Sequence, residues 1–198
     1  MNFESIRSNK LITDEEFDSI YPAEVKRLSK VHWTPIDVAK KATEWLVKNK
    51  SDKILDIGSG AGKFCFVAAI ISGADITGIE QRKYFVDVCK KIQSKEQIKN
   101  VKFIHDDIKN INLGYYKGLY FYNSFHELIL DDDSVLKPAL ISEQLYFDYS
   151  HYLYEQFETL ELNTRLVTYY GHINQVPNNY RLVDSAFNNE LKLWIKQS

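Results

Sequence analysis

Cysteine is scarce in this chain. Only Cys65 and Cys89 occur among 198 residues, with no CxxC pair, which leaves no basis for a disulfide framework or a thiolate zinc site. A charge excess is missing too. A net charge of −2 gives no global attraction to nucleic acid or to an anionic membrane, so nucleic acid is disfavoured as a partner. Long apolar runs are absent: the stretch from Phe64 to Ile71 falls far short of the roughly 20 residues that span a bilayer. The opening MNFESIRSNK lacks the apolar region of a signal peptide, and the expected location is the cytoplasm. From Lys50 onward nothing reads as a linker, a repeat or a low-complexity tract.

What is present suits one globular domain with a substantial core, at 44% hydrophobic and 26% charged residues. Aromatics are abundant, with thirteen tyrosines. A tyrosine buries a large ring and keeps a polar tip, so either amphipathic packing or an aromatic-lined substrate pocket accounts for them.

The first 33 residues are more polar and read as a helical extension, with short helices around Asp14–Ile20 and Pro22–Lys30. The main domain is expected over residues 34–198. Thr34 as cap, Pro35 at the first helical position and Asp37 three residues after the cap predict a helix start. Strands are then predicted at Lys53–Ile57, Asp75–Ile79, Val101–His105, Gly118–Asn123 and Arg165–Tyr170. Helices are predicted at Ala61–Ser72, Arg82–Ser94 and Pro138–Leu160. The last helix has its expected seam at Ile141, Leu145, Tyr149, Tyr152, Gln156 and Leu160. The tail reads as a hairpin, Tyr180–Phe187 and Glu190–Lys196, turning at Asn188-Asn189. This alternation predicts an α/β fold: a doubly wound, mostly parallel seven-stranded sheet, helices on both faces, and a C-terminal antiparallel hairpin. In such sheets ligands bind beyond the carboxyl ends of the strands, at the switch point.

The first strand runs into Asp56-Ile57-Gly58-Ser59-Gly60-Ala61-Gly62-Lys63-Phe64. Glycines at alternate positions permit a tight turn and a close ligand approach. A phosphate-binding P-loop would need a glycine where Ile57 stands and a hydroxyl where Phe64 stands. A dinucleotide fingerprint would need its third glycine at Lys63, and Asp56 would lie close to an anionic pyrophosphate. An acidic neighbour suits a ligand carrying an ammonium and a sulfonium instead. Glu80 ends the second strand, where a carboxylate can accept both hydroxyls of a ribose.

Asp56-Ile57-Gly58-Ser59-Gly60-Ala61-Gly62 resembles the first motif of the class I, seven-stranded Rossmann-like S-adenosylmethionine-dependent methyltransferases. Thr77-Gly78-Ile79-Glu80 resembles their ribose-binding motif. Phe103-Ile104-His105-Asp106-Asp107-Ile108 resembles the third, whose acid contacts the adenine amino group. By position that acid is Asp107, with Asp106 its immediate rival. The resemblance implies S-adenosylmethionine as cofactor, held by Asp56, Gly58, Ser59, Gly60, Gly62, Glu80, Gln81, Asp106, Asp107 and Asn123. It further implies that Trp33-Thr34-Pro35 either starts a helix or lines the methionine end.

Methyl transfer chiefly needs the nucleophile held in line and shielded from water. In this family the acceptor meets residues just after strand four, here Asn123-Ser124-Phe125-His126-Glu127. The segment lacks the prolines of the Asn-Pro-Pro-aromatic motif. It is similar to the Asn-x-Phe arrangement of non-SET protein lysine methyltransferases, which implies Asn123, Phe125 and His126 as acceptor-side residues. His126 or Glu127 would be the general base if one is used. No metal is implied, and Asp131-Asp132-Asp133 reads as helix-start acids. The basic set Arg82, Lys83, Lys90, Lys91, Lys95, Lys99 and Lys102 reads as a solvated face. The acceptor, protein, small molecule or RNA, stays open. The alternatives are a non-catalytic S-adenosylmethionine-binding protein of the same fold and a nicotinamide-dependent oxidoreductase.

Overall fold

The computed structural model describes residues 6, 12–27, 33–122, 143–171 and 175–198. The elements, numbered in chain order, start with α1 (Asp14–Asp18), α2 (Ala23–Lys26), α3 (Ile36–Leu46), β1 (Lys53–Ile57) and α4 (Lys63–Ser72). There follow β2 (Asp75–Glu80), α5 (Lys83–Lys95), β3 (Val101–His105), β4 (Gly118–Tyr122) and α6 (Glu143–Glu158). The chain closes with β5 (Arg165–Tyr169), β6 (Tyr180–Ala186) and β7 (Leu191–Lys196).

The strands form one seven-stranded sheet in the order β3-β2-β1-β4-β5-β7-β6. The first five pair in parallel, and β7 pairs antiparallel with both β5 and β6. Strand order reverses between β1 and β4, which is the predicted switch point. One core cluster joins α1 and α2 to α3, α4 and α5 on one face of the sheet. A second, containing Tyr149, Leu153 and Phe157 of α6, covers the other face. Helix α4 is apolar on every side, and Phe64 through Ala69 are all buried, as befits a helix packed between sheet and neighbours.

Several expectations are corrected. Thr34 does not cap α3. The cap residue is Pro35, with no side-chain hydrogen bond, and the Ile36 amide instead donates to Asp14 Oδ1 at 3.0 Å. Thr34 is buried and shares a 2.9 Å hydroxyl–hydroxyl bond with Tyr120, an 86-residue separation that no local pattern reveals. In the polar extension, Phe17, Tyr21 and Val25 are buried in the main core cluster. In α6 the buried line is Tyr149, Leu153 and Phe157, continued by Leu160, while Tyr152 and Gln156 are only half-buried. A step of four residues keeps that line on one face, and the apolar choices at 153 and 157 fix the rotation. Helix starts fall one or two residues later than read, at Lys63 and Lys83, since Gly62 with φ 75° is a left-handed cap. The hairpin turn is longer than read: Phe187, Asn188 and Asn189 all have positive φ. The expected start of the helix at Pro138, its seam residue Ile141, and Asp131 to Asp133 lie outside the described residues.

Candidate functional site

The carboxyl edge of the sheet is one row of residues. Glu80 is level with His105, Tyr122 with Tyr169, and Tyr169 with Leu191. Ile57 is level with Ile79 and Phe121, so Gly58 enters the same row between Glu80 and Tyr122.

The glycine loop leaves β1 with φ of 72°, 52° and 75° at Gly58, Gly60 and Gly62, values open to glycine at little cost. Its glycines differ in purpose. A Cβ at Gly60 would meet nothing within 4 Å, so that position faces open space. A Cβ at Gly62 would lie 2.6 Å from the Phe103 ring and 2.9 Å from Cys89 Sγ, so that glycine lets α4 seat against β3 and α5. The Ser59 amide donates to the Ile79 carbonyl at 2.9 Å and ties the loop to β2. Gly78, inside β2, has no room for a Cβ, with Ser59 Oγ at 2.7 Å and Cys65 Sγ at 2.8 Å. A glycine inside a strand marks such a close approach, and that signal was available in the sequence.

Asp56 is buried beneath the loop and accepts from Cys65 Sγ at 3.1 Å. Burial pushes its carboxyl up to about 7, opposed by the thiol hydrogen bond and assisted by repulsion from Glu80. Glu80 is also buried. Its Oε2 accepts from the Gly60 amide at 2.9 Å and from Arg82 Nη2 at 3.2 Å. Its Oε1 accepts from the Arg82 amide and Nε, both at 2.8 Å. Arg82 was assigned above to a solvated face; it is half-buried and forks onto the carboxylate, while Lys83, Lys90, Lys91, Lys95, Lys99 and Lys102 are exposed.

Beyond β3 the two neighbouring acids diverge. Asp106 turns back to the Asn110 amide group and the Asp107 N–H, both at 2.7 Å, which holds its carboxyl below the usual range. Asp107 accepts from the Lys109 amide at 2.9 Å with one oxygen and from the Tyr149 hydroxyl with the other. Tyr149 in turn accepts from Gln81 Nε2 at 2.9 Å, so α6 links Gln81 and Asp107 through one phenol. Burial and the bond to Asp107 raise that phenol to about 12. The link could not be read from sequence, because it depends on how α6 rotates against the sheet.

On the other side of the loop, Lys63 is a buried cation. Its ammonium reaches Asp14 at 2.6 Å and Asp18 at 2.7 Å and lies over the rings of Phe17 and Trp33. Trp33 packs edge-on against Tyr21. The N-terminal helices are thereby fastened to the start of α4. Further along the row, Tyr122, Tyr169 and Tyr170 cluster at the ends of β4 and β5. Asn123, Phe125 and His126, expected on the acceptor side, lie outside the described residues, as does Glu127.

A family model described as a methyltransferase domain matches residues 48–191. The chain belongs to this methyltransferase family. The match takes in the glycine loop, Glu80, Asp107 and Tyr149. Human EEF1A lysine methyltransferase 2 is 26% identical over 108 residues, 50% of this chain and 46% of that protein. The match thus spans less than half the length of that relative. Among solved structures, an RNA methyltransferase from Salinibacter ruber in complex with S-adenosyl-L-homocysteine superposes with a TM-score of 0.59 at 20% identity, covering 84% of this chain and 94% of that one. The E81Q mutant of MtNAS in complex with S-adenosylmethionine gives 0.61 at 12% identity, covering 99% and 72%. TrmN from Thermus thermophilus gives 0.59 at 10% identity, covering 88% and 52%. These share the fold.

The methyltransferase family uses S-adenosylmethionine as its donor. The loop fits such a group. Ser59 Oγ is buried without a hydrogen-bond partner among the described residues. The side of Gly60 where a Cβ would sit is open, and the carboxylates of Asp56 and Glu80 flank the loop.

Proposed function

We propose that this methyltransferase transfers its methyl group to an amino nitrogen, acting in the cytoplasm, with the donor laid along the carboxyl edge from β3 to β4. The order of the row carries this reading: Asp107, Glu80, the glycine loop and Tyr122 follow one another along β3, β2, β1 and β4. Asp107 then accepts from the adenine amino group, with Gln81 alongside. Asp106, spent on Asn110, only shapes the turn. Glu80 accepts from the ribose hydroxyls. Gly58, Ser59, Gly60 and Gly62 bring backbone close to the methionine moiety, and the Asp56 carboxylate beneath them favours its positive charge. Bound there, S-adenosylmethionine supplies a methyl group already activated on a sulfonium.

The acceptor then arrives beside the end of β4, where Asn123 orients the nitrogen and Phe125 and His126 wall the site. Asn123 in this reading also borders the methionine end. An amine offers its lone pair only after losing a proton, so the pocket must hold the nitrogen while excluding water. Likeness to a relative named as a lysine methyltransferase supports nitrogen over other acceptors. Two free, buried thiols suit a reducing compartment.

Tritiated methyl transfer to a cell lysate, followed by acid hydrolysis and amino-acid analysis, tests the reading. Label in methylated lysine or another methylated amine is the expected result. Label in base-labile esters or in nucleosides overturns the amine assignment.

A further inference from the structure

Three tyrosines and one carboxylate meet where the row continues past the loop. The Tyr122 and Tyr169 ring centroids lie 4.8 Å apart, those of Tyr169 and Tyr170 4.6 Å, and those of Tyr122 and Tyr170 6.1 Å. The Tyr170 amide donates to the Glu190 carbonyl at 3.1 Å, and the Glu190 side chain beside it raises the Tyr170 hydroxyl. Burial differs sharply across the cluster. Tyr169 is only 5% exposed and serves as the floor, whereas Tyr170 is 48% exposed.

Tyr170 also has φ 51°, a left-handed conformation that bulky side chains rarely adopt. Strain of this kind persists where the surroundings over-determine it, and it concentrates at binding sites. Here the cause is visible: β5 ends at Tyr169, and the tie to Glu190 turns the next residue out over the edge of the sheet. The hairpin that delivers Glu190 places Phe187 beside it, 40% exposed, with the Glu190 amide donating to the Phe187 carbonyl at 3.1 Å.

Position along the row sets the purpose. Strands lie about 4.8 Å apart, so β5 is a single strand step beyond the end of β4. A group seated on Tyr170 is therefore within one residue's reach of the place where the proposed methyl acceptor stands. Chemistry sets the ligand. Burial, with Tyr170 and the Glu190 acid nearby, pushes the Tyr122 hydroxyl up to about 12, so the phenols are neutral and Glu190 supplies the formal charge among the described residues of the cluster. Aromatic faces and a carboxylate both attract a cation. An anionic acceptor would be repelled.

We infer that Tyr122, Tyr169, Tyr170 and Glu190 form a subsite for a protonated primary amine on an apolar stem, as in a lysine side chain, and so select the methyl acceptor. This subsite rests on the amine reading above and gives it a place in the fold.

The test uses the full chain saturated with S-adenosylhomocysteine, with ¹³C-labelled tyrosine. Nα-acetyl-lysine methylamide is titrated into the millimolar range, with the norleucine analogue, which keeps the apolar stem and lacks the amine, as control. The lysine probe should shift the Tyr122 and Tyr170 ring resonances saturably, and norleucine should not. Tyr170→Ala and Glu190→Gln should each weaken the probe at least about fivefold, while Tyr170→Phe keeps most of the affinity because the ring face does the binding. S-adenosylhomocysteine affinity should stay within about twofold in all three variants, which also certifies their folding. Equal binding of norleucine, no shift of the tyrosine resonances, or variants that bind the probe like the parent would overturn the subsite. The site of label in the lysate hydrolysate reports separately on the amine reading, so either can fail without the other.

Discussion

Glu80 illustrates both what a residue pattern discloses and what it hides. A carboxylate closing the second strand is visible in the sequence, and so is Asp107 at the next strand end, because both follow from strand length and spacing. The hydrogen bonds that Glu80 makes are not visible. An ionised carboxylate has about four lone-pair sites, and two backbone amides and the Arg82 fork take all of them. A ribose diol bound to Glu80 as proposed would have to displace the guanidinium. Arg82→Met should therefore raise affinity for S-adenosylhomocysteine by a few-fold, on the order of 1 kcal/mol, whereas Glu80→Ala should lower it by about 1.5–3 kcal/mol. Calorimetry on both variants decides the matter, and weaker binding by Arg82→Met would mean that the fork orients Glu80 and does not compete. Asp56 yields a pH prediction. Its carboxyl titrates near 7 when folded and near the ordinary 3.8 when unfolded. Below about pH 4 the raised value has no cost, and stability is lost as pH climbs from there through 7. The full effect is on the order of 4 kcal/mol. Asp56→Asn should flatten that part of the urea-denaturation profile, and an unchanged slope would place the titration elsewhere.

At the scale of elements, the glycine loop and the helix after it separate function from architecture. Gly60 and Gly62 look equivalent in the sequence, since both sit at alternate positions of one motif and both carry positive φ. Their surroundings make them opposites. Gly60→Ala adds a methyl that meets nothing in the protein but stands where the donor would lie. It should cost about 1 kcal/mol of stability and weaken S-adenosylhomocysteine at least about tenfold. Gly62→Ala drives a methyl into Phe103 and Cys89, so its first effect should be a stability loss of roughly 2–4 kcal/mol, seen as a lower urea midpoint. A Gly60 variant that binds normally would remove the loop from the cofactor site. Local chemistry explains which elements were legible. Strands β1 to β3 and their helices are bounded by glycines and by short apolar runs, so their extents could be read to within two residues. The cap of α3 and the rotation of α6 were misread because Asp14 reaches across 22 residues to Ile36, and because Leu153 and Phe157 outweigh Tyr152 and Gln156 only once a sheet lies beneath them.

For the molecule as a whole, the two core clusters define what is dispensable. The composition of residues 1–33 reads as a polar helical extension, because its charged residues dominate any window average. Phe17, Tyr21 and Val25 are nonetheless placed for burial. Phe17 and Val25 have no exposed surface, and Tyr21 is 5% exposed, all three within the cluster that includes α3, α4 and α5. Lys63, nearly inaccessible at the start of α4, depends on Asp14 and Asp18 for its counter-charge. Deleting residues 1–33 would therefore uncover one face of the core and leave a buried ammonium without its carboxylates. Each large apolar side chain returned to water costs about 1.5–3 kcal/mol, and breaking a buried ion pair by removing one side costs about 3–5 kcal/mol. The sum is comparable with the roughly 5–15 kcal/mol that holds a typical domain together. A chain beginning at Thr34 should thus be unfolded or aggregated at room temperature. Adding Lys63→Met should recover part of the loss, because it removes the stranded charge without restoring the apolar contacts. Far-ultraviolet circular dichroism and urea titration of the truncated chain, with and without Lys63→Met, check both statements. A truncated chain that melts within a few degrees of the parent would show that residues 1–33 rest on the domain as a separable cover.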